Sequence, residues 1–150
     1  MPTEIKFNSN QRLLRGLLTL VTVLFLLPSF SQAQDSCFVM IDSKLAYVDP
    51  HTFETVYLTV QGNNHVEYHN NGEYFIHSSL RWINECEYES TLVESTLPGF
   101  TDNVGRVMKV RIELVKDGVI YCQSQVGELF WQSKLFILDE IPEGVKMLED

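Results

Sequence analysis

The residues best equipped for chemistry in this chain lie close together. His65, Glu67 and His69 alternate over five positions. On a strand, such residues share one face. Imidazole nitrogens and a carboxylate are the ligands that divalent transition metals prefer. At the usual strand rise, His65 and His69 stand about 13 Å apart and cannot chelate together. A further ligand must therefore come from the neighbouring strand. Asn70-Asn71-Gly72 suits a three-residue hairpin loop with glycine in the left-handed conformation. That register sets His65 opposite His77, Glu67 opposite Phe75 and His69 opposite Glu73. It also gathers Val66, Ile76, Tyr68 and Tyr74 on the other face. His65, His77 and Glu67 then form a candidate metal set. The same residues also read as an ordinary solvated polar face.

Other chemistry is thinner. Glu85, Glu87 and Glu89 form an acidic stripe. A register pairing Glu94 with Arg106 would put Glu89 opposite Arg111, which is cross-strand charge pairing. No compact Asp/Asn/Gly loop supplies the oxygens that calcium needs. There is no G-x-S-x-G, no H-E-x-x-H and no phosphate-cradling glycine loop. Cys122 sits mid-strand with no histidine near it in sequence to activate it. The expectation is a protein that is not an enzyme, with no catalytic residues and no cofactor.

The elements that position these residues begin after an address. Lys6, Arg12 and Arg15 precede an uncharged, apolar stretch at 16–27, ended by Pro28 and followed by Ser31-Gln32-Ala33. This is the pattern of a secretory signal peptide, 1–33, cleaved before Gln34. The apolar run is shorter than the roughly 20 residues of a membrane anchor, so no membrane span is expected after cleavage. The full chain has 150 residues and a net charge of −9. Without the signal, 117 residues remain, with 19 acidic and 8 basic side chains and a net charge of −11. Such acidity argues against nucleic acid as a partner, since phosphate backbones need clustered Lys and Arg. Export places the protein in the periplasm or outside the cell, where disulfides form. The three cysteines allow one bridge and leave one thiol.

From Lys44 onward, period-2 alternation replaces any helical spacing. In 106–116, Met108, Val110, Ile112 and Leu114 oppose Lys109, Arg111 and Glu113. Eight strands are expected at 43–49, 53–60, 64–70, 73–83, 85–95, 106–116, 119–126 and 128–138. The last is apolar on both faces and is expected to be covered on both. Gly62, Asn70-Asn71-Gly72, Pro98-Gly99 and Asp117-Gly118 supply turn chemistry between them. Short connections make sequence neighbours pair antiparallel. The expected fold is all-β: an eight-stranded antiparallel meander closed into a lipocalin-like small barrel over 34–138, with a β-sandwich as the alternative. A flexible C-terminal tail, 139–150, is expected to follow.

One stretch resembles a known family. Leu80-Arg81-Trp82-Ile83-Asn84-Glu85-Cys86-Glu87-Tyr88 is similar to the W-x-x-x-C-E-Y signature of small exported Bacteroidetes-type proteins. An early cysteine (Cys37), a turn with a preceding glutamate (Glu67, Asn70-Asn71-Gly72) and a following Lys109-Val110-Arg111-Ile112 strand also match. Some members carry a DNA topoisomerase IV label, which an acidic chain of this size does not suit. The chain departs from the pattern at the end of the second strand, where Leu58 and Thr59 stand in place of an arginine. The resemblance implies location and fold, a Cys37–Cys86 bridge with Cys122 left reduced, and no reaction.

Function would then sit in the interior, and the Asp117-Gly118 turn allows two interiors. A two-residue turn pairs Leu114 with Tyr121 and Ile112 with Gln123, turning Tyr121, Gln123 and Gln125 inward. That gives a ligand cavity with a few polar groups on an apolar wall. A bulged three-residue turn pairs Leu114 with Ile120 and Ile112 with Cys122, giving a filled apolar core. The first arrangement implies an exported non-catalytic binding module holding a small apolar ligand near Trp82, Tyr88 and Tyr121. The second implies a structural or protein-interaction domain whose partner is a protein of the cell envelope.

Overall fold

A computed structural model describes residues 36–148. The signal-peptide reading of 1–33 lies outside the described residues. Eight strands follow one another: β1 (Lys44–Val48), β2 (Thr55–Gln61), β3 (Asn64–His69), β4 (Tyr74–Asn84), β5 (Glu87–Ser95), β6 (Val107–Lys116), β7 (Val119–Val126) and β8 (Leu129–Leu138). Each pairs antiparallel with the next, and β8 returns to pair with β1, so the sheet closes into a barrel. Closure leaves no free edge to recruit another chain. The expected strands thus form, within about two residues at each end. No helix among the described residues is long and apolar enough to cross a membrane.

A meander of this kind has two distinct ends. The connections after β2, β4 and β6 lie at one, together with the incoming chain. The long connections after β1, β3 and β5 and the β7–β8 turn lie at the other. The first end is plugged. A short 3₁₀ turn, Cys37–Met40, is capped by the Ser36 hydroxyl, which accepts from the Phe38 N–H. Met40 and Cys37 are fully buried against Leu45, Val60, Leu80, Ile112, Val115 and Ile120. Each such side chain contributes roughly 1.5–3 kcal/mol by leaving water. The Cys37–Cys86 disulfide ties this plug to the β4–β5 connection, with Cα atoms 5.2 Å apart. The Asp42 carboxylate also accepts from the Gly62 N–H at the β2–β3 turn.

Three registers differ from those expected. Between β3 and β4, His65 pairs with Ser78, Glu67 with Ile76 and His69 with Tyr74. The loop holds four residues, not three, because Asn70 and Asn71 both adopt the left-handed conformation and Glu73 stays outside the strand. One extra loop residue exchanges the faces of β3 relative to β4. Between β5 and β6, Glu87 faces Arg111 and Glu89 faces Lys109, two residues from the expected pairing of Glu89 with Arg111. Between β6 and β7 each expected register holds over part of the ladder. Asp117-Gly118 is a two-residue turn, so Leu114 faces Tyr121. A bulge at Glu113 then realigns the strands and brings Ile112 opposite Cys122. The strand expected to be covered on both faces, β8, is not. Leu129, Phe130, Trp131 and Phe136 are exposed, and only Leu135 is buried.

After β8 the chain comes back along the barrel. The Lys146 N–H donates to the Asn71 carbonyl at 2.9 Å, at the β3–β4 loop.

Candidate functional site

Above the plug the barrel is hollow. Eight strands enclose a space that ordinary side chains just fill. Here inward positions are occupied by Ser78, Ser90, Ser124 and Ser133, and these small side chains leave room. The result is a cavity of about 460 Å³, floored by Met40 and walled by Leu58, Ile76, Met108, Val110 and Leu135 among others. It extends to the end bearing the long connections, where Asp49, Leu97, Phe100, Arg106 and Trp131 line it. The apolar register of β7 therefore accompanies a cavity, not the filled core expected with it. The size of the inward side chains decides the outcome, not their polarity.

Beyond these serines, β3 gives the wall a row of ionisable side chains. His65, Glu67 and His69 all point inward and line the cavity, while Val66 and Tyr68 face out. His65 is 6% exposed, and the Glu67 side chain 16%. The Tyr47 hydroxyl, on β1, donates to Glu67 Oε2 at 2.8 Å. His65 Nε2 lies 3.8 Å from Glu67 Oε1, beyond hydrogen-bond reach. His69 Nε2 lies 3.4 Å from Oε2, within ion-pair range but without hydrogen-bond geometry. His65 Nδ1 and His69 Nε2 are buried with no hydrogen-bond partner.

The electrostatics follow from this enclosure. Burial pushes the His65 pKa down, against the pull of Glu67, so the ring is held neutral. Burial alone would raise Glu67. The His69 and His65 imidazoles and the Tyr47 hydroxyl outweigh it and hold the carboxyl below the usual range. Tyr47 is driven up by burial and by the neighbouring Glu67. The sector thus presents the Glu67 carboxylate beside the neutral His65 ring and the Tyr47 hydroxyl inside an apolar wall.

The residues singled out in the sequence fall in different places. Tyr88 lines the cavity, with its ring centroid 4.9 Å from that of Trp82. Trp82 packs on the core beside it, and its indole N–H is buried without a partner. Tyr121 lies on the outer face, with Lys134 Nζ 5.5 Å from its ring centroid. His77 pairs with Val66 on the outer face, so the set His65, His77 and Glu67 is not assembled. Among the described residues, no three His, Cys, Asp or Glu side chains are placed to hold a metal ion. Cys122 is a buried free thiol on the cavity wall, pushed up to about 12 by burial, and so stays protonated. On the outer face Arg81 binds Glu89 at 2.5 Å, and Arg111 binds Glu87 at 2.6 Å.

Sequence reasoning did not single out Tyr47, Asp49, Arg106 or the inward serines. Ser78, Ser90 and Ser124 were legible as small residues on otherwise apolar faces. Tyr47 gave no signal, because its partner Glu67 is 20 residues away across two strands. The open end also carries an apolar rim. Phe53 is 81% exposed, Leu129 70% and Phe130 60%. Phe53 takes a left-handed backbone conformation, φ 59°, that bulky residues avoid. Asp49 enforces it: its carboxylate accepts from the His51 and Thr52 N–H groups, and its carbonyl accepts from the Phe53 N–H.

Comparison of the chain with protein-family models, with curated proteins and with solved structures gave no match.

Proposed function

We propose that this is an exported, non-catalytic binding protein that holds a small, largely apolar ligand inside a lipocalin-like barrel. The cavity carries the reading. A closed barrel plugged at one end and hollow at the other has given up core packing that larger side chains would supply. Ligand pockets share its form: 300–1,000 Å³, mostly apolar, with a few placed polar groups. The inward turn of β3 supports it further. A strand that turns three ionisable side chains, His65, Glu67 and His69, into a largely apolar interior breaks the usual pattern, and such local conflicts collect at functional sites. The Cys37–Cys86 bridge and the leader-like N-terminus support export.

The exposed rim of Phe53, Leu129 and Phe130 favours a second reading, an interaction domain that docks on an envelope protein. Native mass spectrometry of the protein purified from its own cells separates the two. A small molecule retained at one per chain supports the ligand barrel. A protein retained on an empty barrel supports docking and counts against the first reading.

A further inference from the structure

We propose that the ligand is an amphiphile with a protonated amine head, seated on the Glu67 carboxylate with its apolar body along Leu58, Ile76 and Val110. This rests on the ligand-cavity reading and names the chemical class that the cavity selects.

A carboxylate withdrawn from water is tolerated when cations or several hydrogen-bond donors compensate it. Glu67 receives one hydrogen bond, from Tyr47. Its Oε1 has no donor within reach; the nearest imidazole nitrogen is 3.8 Å away. Among the described residues no Lys or Arg nitrogen comes within 4.0 Å of it. Arg81 and Arg111 are occupied on the outer face, and Arg106, at the open end, donates to Asn103. Apart from the imidazoles of His65 and of His69, whose Nε2 lies 3.4 Å from Oε2, no basic side chain among the described residues approaches the carboxylate, and Oε1 is left without a donor beside the cavity space.

His65 adds an independent indication. Its ring is buried and lines the cavity, and Nδ1 has no partner. With Nε2 facing the carboxylate, the proton of the neutral ring belongs on Nε2. Nδ1 is then a second open acceptor, next to Glu67 in the inward row of β3. An ammonium group offers three donors and no acceptor, which suits two acceptors better than a hydroxyl does. A carboxylate or phosphate head would meet the Glu67 charge instead.

The test is isothermal titration of the purified protein at pH 7 with octylammonium, 1-octanol and octanoate, which share one apolar body. Octylammonium is expected to bind about tenfold or more tightly than octanol, with octanoate the weakest, because the ammonium pairs its charge with the carboxylate, the hydroxyl has no charge to pair, and the octanoate head is repelled. Glu67→Gln should remove the preference, bringing octylammonium to within about threefold of octanol, since an amide side chain offers no charge to either head. Tyr47→Phe, which removes a donor but not the charge, should keep the preference for the amine. Octanol binding with no preference for the amine, octanoate binding best, or a preference that survives Glu67→Gln would each overturn the amine assignment while leaving the cavity reading intact. Failure of all three compounds to bind would overturn both.

Discussion

His65 and Glu67 are ionisable side chains that the barrel wall turns away from water, and burial or its partners move the pKa of each. Their titration therefore feeds into stability. His65 has a lowered pKa when folded, so between that value and its ordinary 6.5 the unfolded chain binds the extra proton. Stability then falls as the pH drops below 6.5. Glu67, also lowered, acts in the same direction further down: its contribution is present above 4.5 and is lost as the pH falls through the folded value. Thermal melts should show a midpoint that holds from pH 8 to about pH 7 and falls from there to pH 5. The slope between pH 6.5 and 5 should flatten in His65→Gln, which cannot take up the proton. An unchanged slope in that variant would remove His65 from the account.

At the level of the strand, one residue of loop length decides what the interior contains. The alternation of β3 was plain in the sequence, and so were the strand ends, because glycine and asparagine mark them. Which face of β3 turns inward was not. The pairs Val66–Ile76 and Tyr68–Tyr74 satisfy the apolar pattern, and only the second left-handed asparagine in the loop sets the true pairing. The same ambiguity left β6–β7 open between two registers. The bulge at Glu113 let both hold in part, and a bulge has no marker in a run such as Ile112-Glu113-Leu114. The candidate site was therefore half legible. Its strand and its histidines could be read, but its partners Tyr47 and Ser78 depended on registers that alternation cannot choose.

The β3–β4 loop also gives a direct test at this scale. Gly72 has φ 81°, and a Cβ built there would lie 2.0 Å from the Lys146 carbonyl oxygen. Gly72→Ala combines backbone strain of about 1–2 kcal/mol with displacement of the returning chain. Urea unfolding should report at least the strain, and amide exchange at Lys146 should accelerate, since its bond to the Asn71 carbonyl is lost. A variant as stable as the parent, with Lys146 still protected, would show that the segment after β8 does not rest on this loop.

The molecule as a whole is built from two unequal ends. The plugged end carries the apolar core and the disulfide, and the hollow end carries the cavity and the exposed rim. The bridge closes a separation of 49 residues, which the loop-entropy description values at about 4 kcal/mol. Replacing both cysteines, Cys37→Ser with Cys86→Ser, should lower unfolding stability by roughly that amount in urea titrations. Because Met40 forms the cavity floor, the loss should extend to ligand affinity. A reduced protein with full stability and full affinity would mean that the plug holds without its staple.

A hollow barrel should take its ligand inside, not onto the apolar rim. Binding of the apolar fluorophore N-phenyl-1-naphthylamine to the parent protein and to Ser90→Trp tests it most directly, because Ser90 is buried on the cavity wall and far smaller than the indole that would replace it. Saturable binding at one site is expected in the parent, and its loss in a folded Ser90→Trp protein. Equal binding by both proteins would place the ligand on the rim and contradict binding inside the barrel.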